Sequence, residues 1–170
     1  MVKNLRRRKL PLALLMVLGT HLCSASSSSS DCFSLPEILE TQIGVSETPK
    51  GSNWGPRVSE YLAAANIYQP APWCGAFIEW GMKQTGRKGG GAWVPNWNIP
   101  AKVVTNPRRG DLGLIWFPNL KRYAHIYCVS ERISSSFVRT IEGNSDDSGS
   151  REGTKVVSKI RPAKGRYVRW

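Results

Sequence analysis

Pro72-Trp73-Cys74-Gly75-Ala76-Phe77-Ile78-Glu79-Trp80 reads as the head of a helix with a thiol in its first turn. Proline suits the first helical position, and Cys74, Phe77, Ile78 and Gly81 fall on one face before the pattern stops near Gly86. A cysteine there lies beside backbone N–H donors at the positive end of the helix dipole, which favours thiolate over thiol. Composition restricts the base such a nucleophile needs, because the chain holds 2 His. His21 lies in an N-terminal leader, so only His125 remains beyond it.

Two shorter helices are expected upstream. Ser34-Leu35-Pro36-Glu37 has capping-box spacing and an early proline, and its apolar pattern ends at Gly44. The second begins near Gly55-Pro56 and runs through Val58, Tyr61 and Leu62 towards Asn66. Gly89 to Pro100 reads as a loop rich in glycine, tryptophan and proline. From Asp111 the period changes to strands at Leu112 to Phe117, Tyr123 to Val129, Phe137 to Glu142, Thr154 to Ile160, and Arg166 to Trp170. Gly143 to Gly153 is crowded with turn formers. Helices followed by antiparallel strands predict an α+β domain, with the cysteine-bearing helix packed on the sheet.

Strand alternation separates the cysteines. In Tyr123-Ala124-His125-Ile126-Tyr127-Cys128-Val129, His125 shares a face with Tyr127 and Val129, whereas Cys128 faces the other way with Ala124 and Ile126. Cys128 therefore reads as core and Cys74 as the partner of His125. The next strand carries Thr140-Ile141-Glu142-Gly143-Asn144, where Glu142 and Asn144 have the same parity. Either could accept the imidazole N–H and fix its tautomer, and Glu142 would also stabilise imidazolium. A lone cysteine or strand histidine is commonly just buried structure; it is their combination that points to nucleophilic catalysis. There is no Cys-x-x-Cys and no second histidine beyond the leader, so no metal site and no cofactor are expected.

The leader changes the charge to be explained. Lys3, Arg6, Arg7, Arg8 and Lys9 precede a mostly apolar run from Leu10 to Leu22 and the small residues Ser24, Ala25 and Ser26. That order is a secretory signal, with an uncleaved anchor as the alternative; the run falls short of the roughly 20 residues of a spanning helix. His21 and Leu22 before Cys23 argue against lipidation, and the residues around the arginines give a twin-arginine signal little support. Residues 1–25 are thus expected to be a signal peptide, 26–33 a serine-rich linker, and 34–170 one domain, secreted or periplasmic without a stable membrane anchor. Without the five leader cations the formal net charge of +12 becomes about +7. This balance suits an anionic partner, and no recognition motif directs it to nucleic acid.

In this order the residues resemble a known family, the CHAP and NlpC/P60-like cysteine peptidases and amidases that cut peptidoglycan. The matching elements are Gly44-Val45-x-Glu47, Asn53, Tyr61-Leu62, Pro72-Trp73-Cys74-Gly75-Ala76-Phe77-x-x-Trp80, Pro107-Arg108-Arg109-Gly110-Asp111, Ala124-His125-Ile126 and Glu142-Gly143-Asn144. The resemblance implies a papain-like fold. It further implies Cys74 as nucleophile, His125 as base and acid, Glu142 or Asn144 as the orienting residue, and peptidoglycan as partner. Some CHAP enzymes carry an acidic calcium loop before the nucleophile, but Asn66-Ile67-Tyr68-Gln69-Pro70-Ala71 has no acid, so no calcium is expected there. Lys121-Arg122-Tyr123 also departs from the small, glycine-rich approach to the histidine, which bears on substrate preference.

Trp73, Trp93 and Trp97 are candidates for lining a glycan or peptide groove, although loop aromatics also plug cores. Asp111 is expected to shape the turn before its strand, and Glu47 and Asn53 to cap or bond within loops, with substrate contact as the alternative. The main alternative function is a non-catalytic wall-binding or interaction protein of the same fold. The choice of amide bond, the pairing of Cys32 with Cys128, and the oligomeric state are left open by the sequence.

Overall fold

The chain divides into two units, residues 1–30 and 31–170. The computed structural model describes residues 33–146 and 153–170, all within the second unit. The expected signal peptide, nearly all of the expected linker, and most of the Gly143 to Gly153 connection lie outside them.

Three helices precede a six-stranded antiparallel sheet among the described residues. The α1 helix spans Leu35–Glu40, where Glu37 accepts the Ser34 backbone N–H at 2.7 Å in the predicted capping box. It stops earlier than expected. Thr41 turns its hydroxyl back onto the Ile38 carbonyl, and the Gly44 N–H goes to Val156 instead of continuing the helix. The α2 helix spans Pro56–Ala64 and ends where Asn66 takes a positive φ of 60° while Ile67 N–H closes onto the Leu62 carbonyl. The α3 helix spans Cys74–Gln84, so it begins at Cys74 itself and not at Pro72. Asn144 Oδ1 accepts the Trp73 N–H at 3.0 Å and holds the residues before Cys74 out of the helix.

The strands are β1 (Val103–Val104), β2 (Leu112–Phe117), β3 (Arg122–Arg132), β4 (Phe137–Ser145), β5 (Lys155–Pro162) and β6 (Arg166–Val168). Their order across the sheet is β1-β6-β2-β3-β4-β5. Short 3-10 turns at Val94–Trp97 and Pro100–Lys102 occupy the stretch read as a loop and the residues just after it. The outcome is the α+β arrangement expected, with α3 packed on β3 and β4.

Alternation on β3 divides two apolar clusters. Ile126 and Cys128 join Leu112, Leu114 and Ile141 beneath the helices, whereas Tyr127 and Val129 pack with Val138 and Tyr167 in a second cluster. Gly143 permits the closest approach of α3 to β4, because a Cβ there would lie 2.7–2.8 Å from Phe77 side-chain atoms. This contact fixes the height of Cys74 over the sheet.

Candidate active site

Parity alone would leave His125 facing away from α3. The β3–β4 ladder resolves this, because it starts at Cys128↔Ile141 and does not continue to the level of His125. The Ala124 carbonyl and the Ile126 N–H alternate onto that same edge of β3. Cys74 takes the place of the missing strand. Its Sγ lies 3.8 Å from the Ala124 oxygen and accepts from the backbone N–H groups of Ile126 and Gly75. The thiol thus meets the imidazole at the strand edge.

Cys74 is 5% exposed, His125 2% and Glu142 0%. Glu142 Oε2 lies 3.0 Å from His125 Nε2, which leaves Nδ1 as the ring nitrogen without a conventional hydrogen-bond partner. With Nε2–H donating to Glu142, Nδ1 is the nitrogen free to exchange a proton with the thiol. Burial opposes a charged Cys74, but hydrogen bonding and attraction from His125, together with those two backbone donors, outweigh it and lower the thiol below its ordinary value. Burial likewise opposes a charged His125, yet bonds and charge attraction from Cys74 and Glu142 raise the imidazole to about 9.

Arg161 was not singled out from sequence, and it completes this chain of charges. Its Nε reaches Glu142 Oε1 and its Nη2 reaches Oε2 at 2.7 Å. Thr140 Oγ1 also donates to Oε1 at 2.7 Å. Burial would raise the Glu142 carboxyl, but these contacts and His125 hold it well below the ordinary range. In the ionised form of the pair, thiolate, imidazolium, carboxylate and guanidinium alternate in sign, so each charge would have an opposite neighbour. Arg161 lies on β5, nineteen residues from Glu142. Only the register Glu142↔Val157 between neighbouring strands brings that part of β5 close, and no local motif announces it.

Asn144 must be corrected. It does not face His125: a positive φ of 54° and an irregularity between Glu142 and Ser145 turn it out of the strand's alternation. It accepts from Trp73 N–H and donates to the Gly153 carbonyl at 2.7 Å, and to Asn53 at 3.3 Å, so it clamps the loop before the nucleophile. Glu47, buried nearby, accepts the Trp73 indole N–H at 2.9 Å. Asp111 shapes its turn by accepting Arg108 N–H and is gripped by Arg169.

The tryptophans divide in the same way. Trp73 is fully buried between Tyr61 and Phe77, and Trp97 is fully buried against Trp170 with its indole N–H on the Gly91 carbonyl. Both are core residues and not groove residues, because burial of the ring and satisfaction of its N–H are met inside the fold. Trp93 differs: it is 53% exposed and lines a cleft of about 290 Å³ that opens onto Cys74.

The floor of that cleft is Cys74 and Ala124, and its walls are mainly Ile67, Pro72, Ala92 and Val94. Gly75 is pressed against the Ala92 carbonyl, where a Cβ would come within 2.2 Å. The N-cap residue Trp73 makes no side-chain capping bond at the start of α3, and the Gly75 N–H there already points at the thiol. Among the described residues, no group of three or more His, Cys, Asp or Glu converges to hold a metal ion. Nor is any described helix long and apolar enough to cross a membrane.

No protein-family model, curated protein or solved structure matches the chain.

Proposed function

We propose that this protein is an exported cysteine hydrolase of the papain-like, CHAP type, which cleaves amide bonds of bacterial peptidoglycan. The observation that carries the reading is the buried Cys74–His125–Glu142 arrangement at the end of a cleft, with the thiol lowered and the imidazole raised. That pairing is the chemistry of an activated nucleophile. Peptidoglycan as the substrate rests on the ordered motif resemblance and the leader.

In the proposed reaction Cys74 Sγ attacks the amide carbonyl, and the oxyanion is supported by backbone N–H groups at the start of α3. His125 Nδ1–H protonates the leaving amine as the C–N bond breaks, leaving a thioester. Neutral His125 then takes a proton from water, the resulting hydroxide equivalent attacks the thioester, and the thiolate is released. Glu142 holds the imidazole through Nε2 and stabilises its charged form. Arg161 in turn keeps Glu142 ionised.

The test is mass spectrometry of defined muropeptides incubated with the protein. A gain of one water, shared between a new carboxyl and a new amine, is expected and would also identify the bond cut. Cys74→Ala should abolish product while the protein stays folded. Binding to cell walls by both proteins without product from either would favour the non-catalytic alternative.

A further inference from the structure

Arg122 stands out among the arginines near the site. Its guanidinium carbon lies 4.2 Å from the centroid of the Trp93 ring, and Nη1 donates to the Tyr123 carbonyl at 3.3 Å. Arg161, Arg169 and Arg109 are each held by a carboxylate, from Glu142, Asp111 and Glu40. Among the described residues Arg122 has no carboxylate partner. Among the described residues that line the Cys74 cleft it is the one basic side chain, and the others are mostly apolar.

Each of these facts bears on what the cleft accepts. Stacking on an indole uses the face of a guanidinium and leaves its N–H edge available for planar acceptors. The mostly apolar lining supplies few competing hydrogen-bond groups, so an anion that reaches the guanidinium finds it the main charged partner there. Arg122 is the first residue of β3, and it and Ala124 both line the cleft, so the charge lies on the strand that carries His125. A group bound there is therefore close to the carbonyl that Cys74 attacks. An exposed indole beside a cation with no carboxylate partner also has no evident role in stabilising the core.

We propose that Arg122 and Trp93 form a carboxylate-reading subsite in the Cys74 cleft, selecting acyl substrates that carry a free carboxylate next to the scissile amide. This rests on the hydrolase reading above for the word substrate, but not for the recognition of the anion. Muropeptides bearing a carboxylate at that position should be preferred over their carboxamide counterparts by about 10–100-fold in kcat/KM, the range expected of a charge-assisted bidentate contact.

Two measurements separate the subsite from the hydrolase. The first compares alkylation of Cys74 by iodoacetate and iodoacetamide, which differ as carboxylate and carboxamide and require no natural substrate. The rate ratio, normalised to free cysteine and read on the Cys74 peptide, should fall about tenfold in Arg122→Gln and stay near wild type in Arg122→Lys, which keeps the charge. The second compares paired muropeptides, carboxylate against carboxamide. The wild-type preference should vanish in Arg122→Gln and be mostly lost in Arg122→Lys, which lacks the planar fork. An alkylation ratio that Arg122→Gln leaves unmoved would overturn the proposal, as would equal cleavage of both muropeptides by the wild type, and in the latter case the hydrolase reading stands. A falling ratio with neither muropeptide cleaved would support the subsite and count against the hydrolase.

Discussion

Cys74, at the start of α3, and Cys128, on β3 beneath the helices, are both buried free thiols, and they are driven in opposite directions. At Cys128 burial raises the thiol far above its ordinary value, while the distant charges of Arg109, Asp111, Glu40 and Arg87 work against one another. At Cys74 burial acts in the same sense, but His125 and two backbone donors reverse the outcome. Burial therefore does not distinguish a reactive cysteine from an inert one. What distinguishes them is whether the strand edge beside the sulfur is paired with another strand or left open to the thiol.

The largest expected difference is in alkylation rate. At pH 6 to 7 Cys74 should react with iodoacetamide at least ~10³-fold faster than Cys128, which should stay unlabelled until the protein unfolds. Peptide mass spectrometry over a time course reads both sites in one sample. Comparable rates would erase the distinction.

A smaller effect is expected from removing the charge that sustains Cys74. Glu142→Gln should lower kcat by about 10²–10³-fold, shift the Cys74 alkylation profile to higher pH and bring the His125 titration down from about 9. Asn144→Ala should lower kcat less and leave the titration in place, because Asn144 contacts the Trp73 backbone and not the imidazole. If Asn144→Ala moves the titration and Glu142→Gln does not, the two roles are exchanged. The same groups set signs for stability. Imidazolium stabilises the fold fully below the unfolded histidine value of 6.5, and that contribution is lost as pH rises through about 9. Glu142 contributes above the unfolded carboxyl value of 4.5 and loses its contribution as pH falls below it. Glu142→Gln should thus flatten both limbs, whereas a Cys128 variant should leave the acid limb unchanged and reduce only the loss of stability above the unfolded thiol value of 9.

The difference between the two cysteines was partly legible before the structure. Period-two alternation placed Cys128 with Ile126 and His125 with Tyr127, and β3 has that division. The same rule failed at Asn144, because a residue with positive φ leaves the alternation and nothing local forces an asparagine to take it. Trp73 beside the nucleophile and Trp97 in a loop-rich stretch look like groove residues, but what buries them are partners elsewhere in the sequence, Tyr61 and Trp170. Arg161 was hidden for a related reason, and Arg122 was visible only as a departure within Lys121-Arg122-Tyr123. A basic residue in a cationic chain gains meaning only when strand register brings it to a carboxylate, or a loop brings it to an exposed indole.

The smallest expected effect concerns Cys128 itself. Its sulfur has one weak contact, 3.7 Å to the Val129 carbonyl, which also accepts Gly110 N–H at 2.8 Å. Cys128→Ala should destabilise the fold by about 1–2 kcal/mol, the scale of a small cavity in a packed core. Cys128→Ser nearly preserves volume but buries a hydroxyl whose nearest acceptor is too far for an O–H···O bond, so it should destabilise by about 1 kcal/mol more. Urea unfolding measures both, and Cys74 alkylation measured alongside should not change in either variant. If Cys128→Ala slows Cys74 as much as Glu142→Gln does, packing beneath the sheet governs the nucleophile, and the contrast between an open and a paired strand edge no longer explains it.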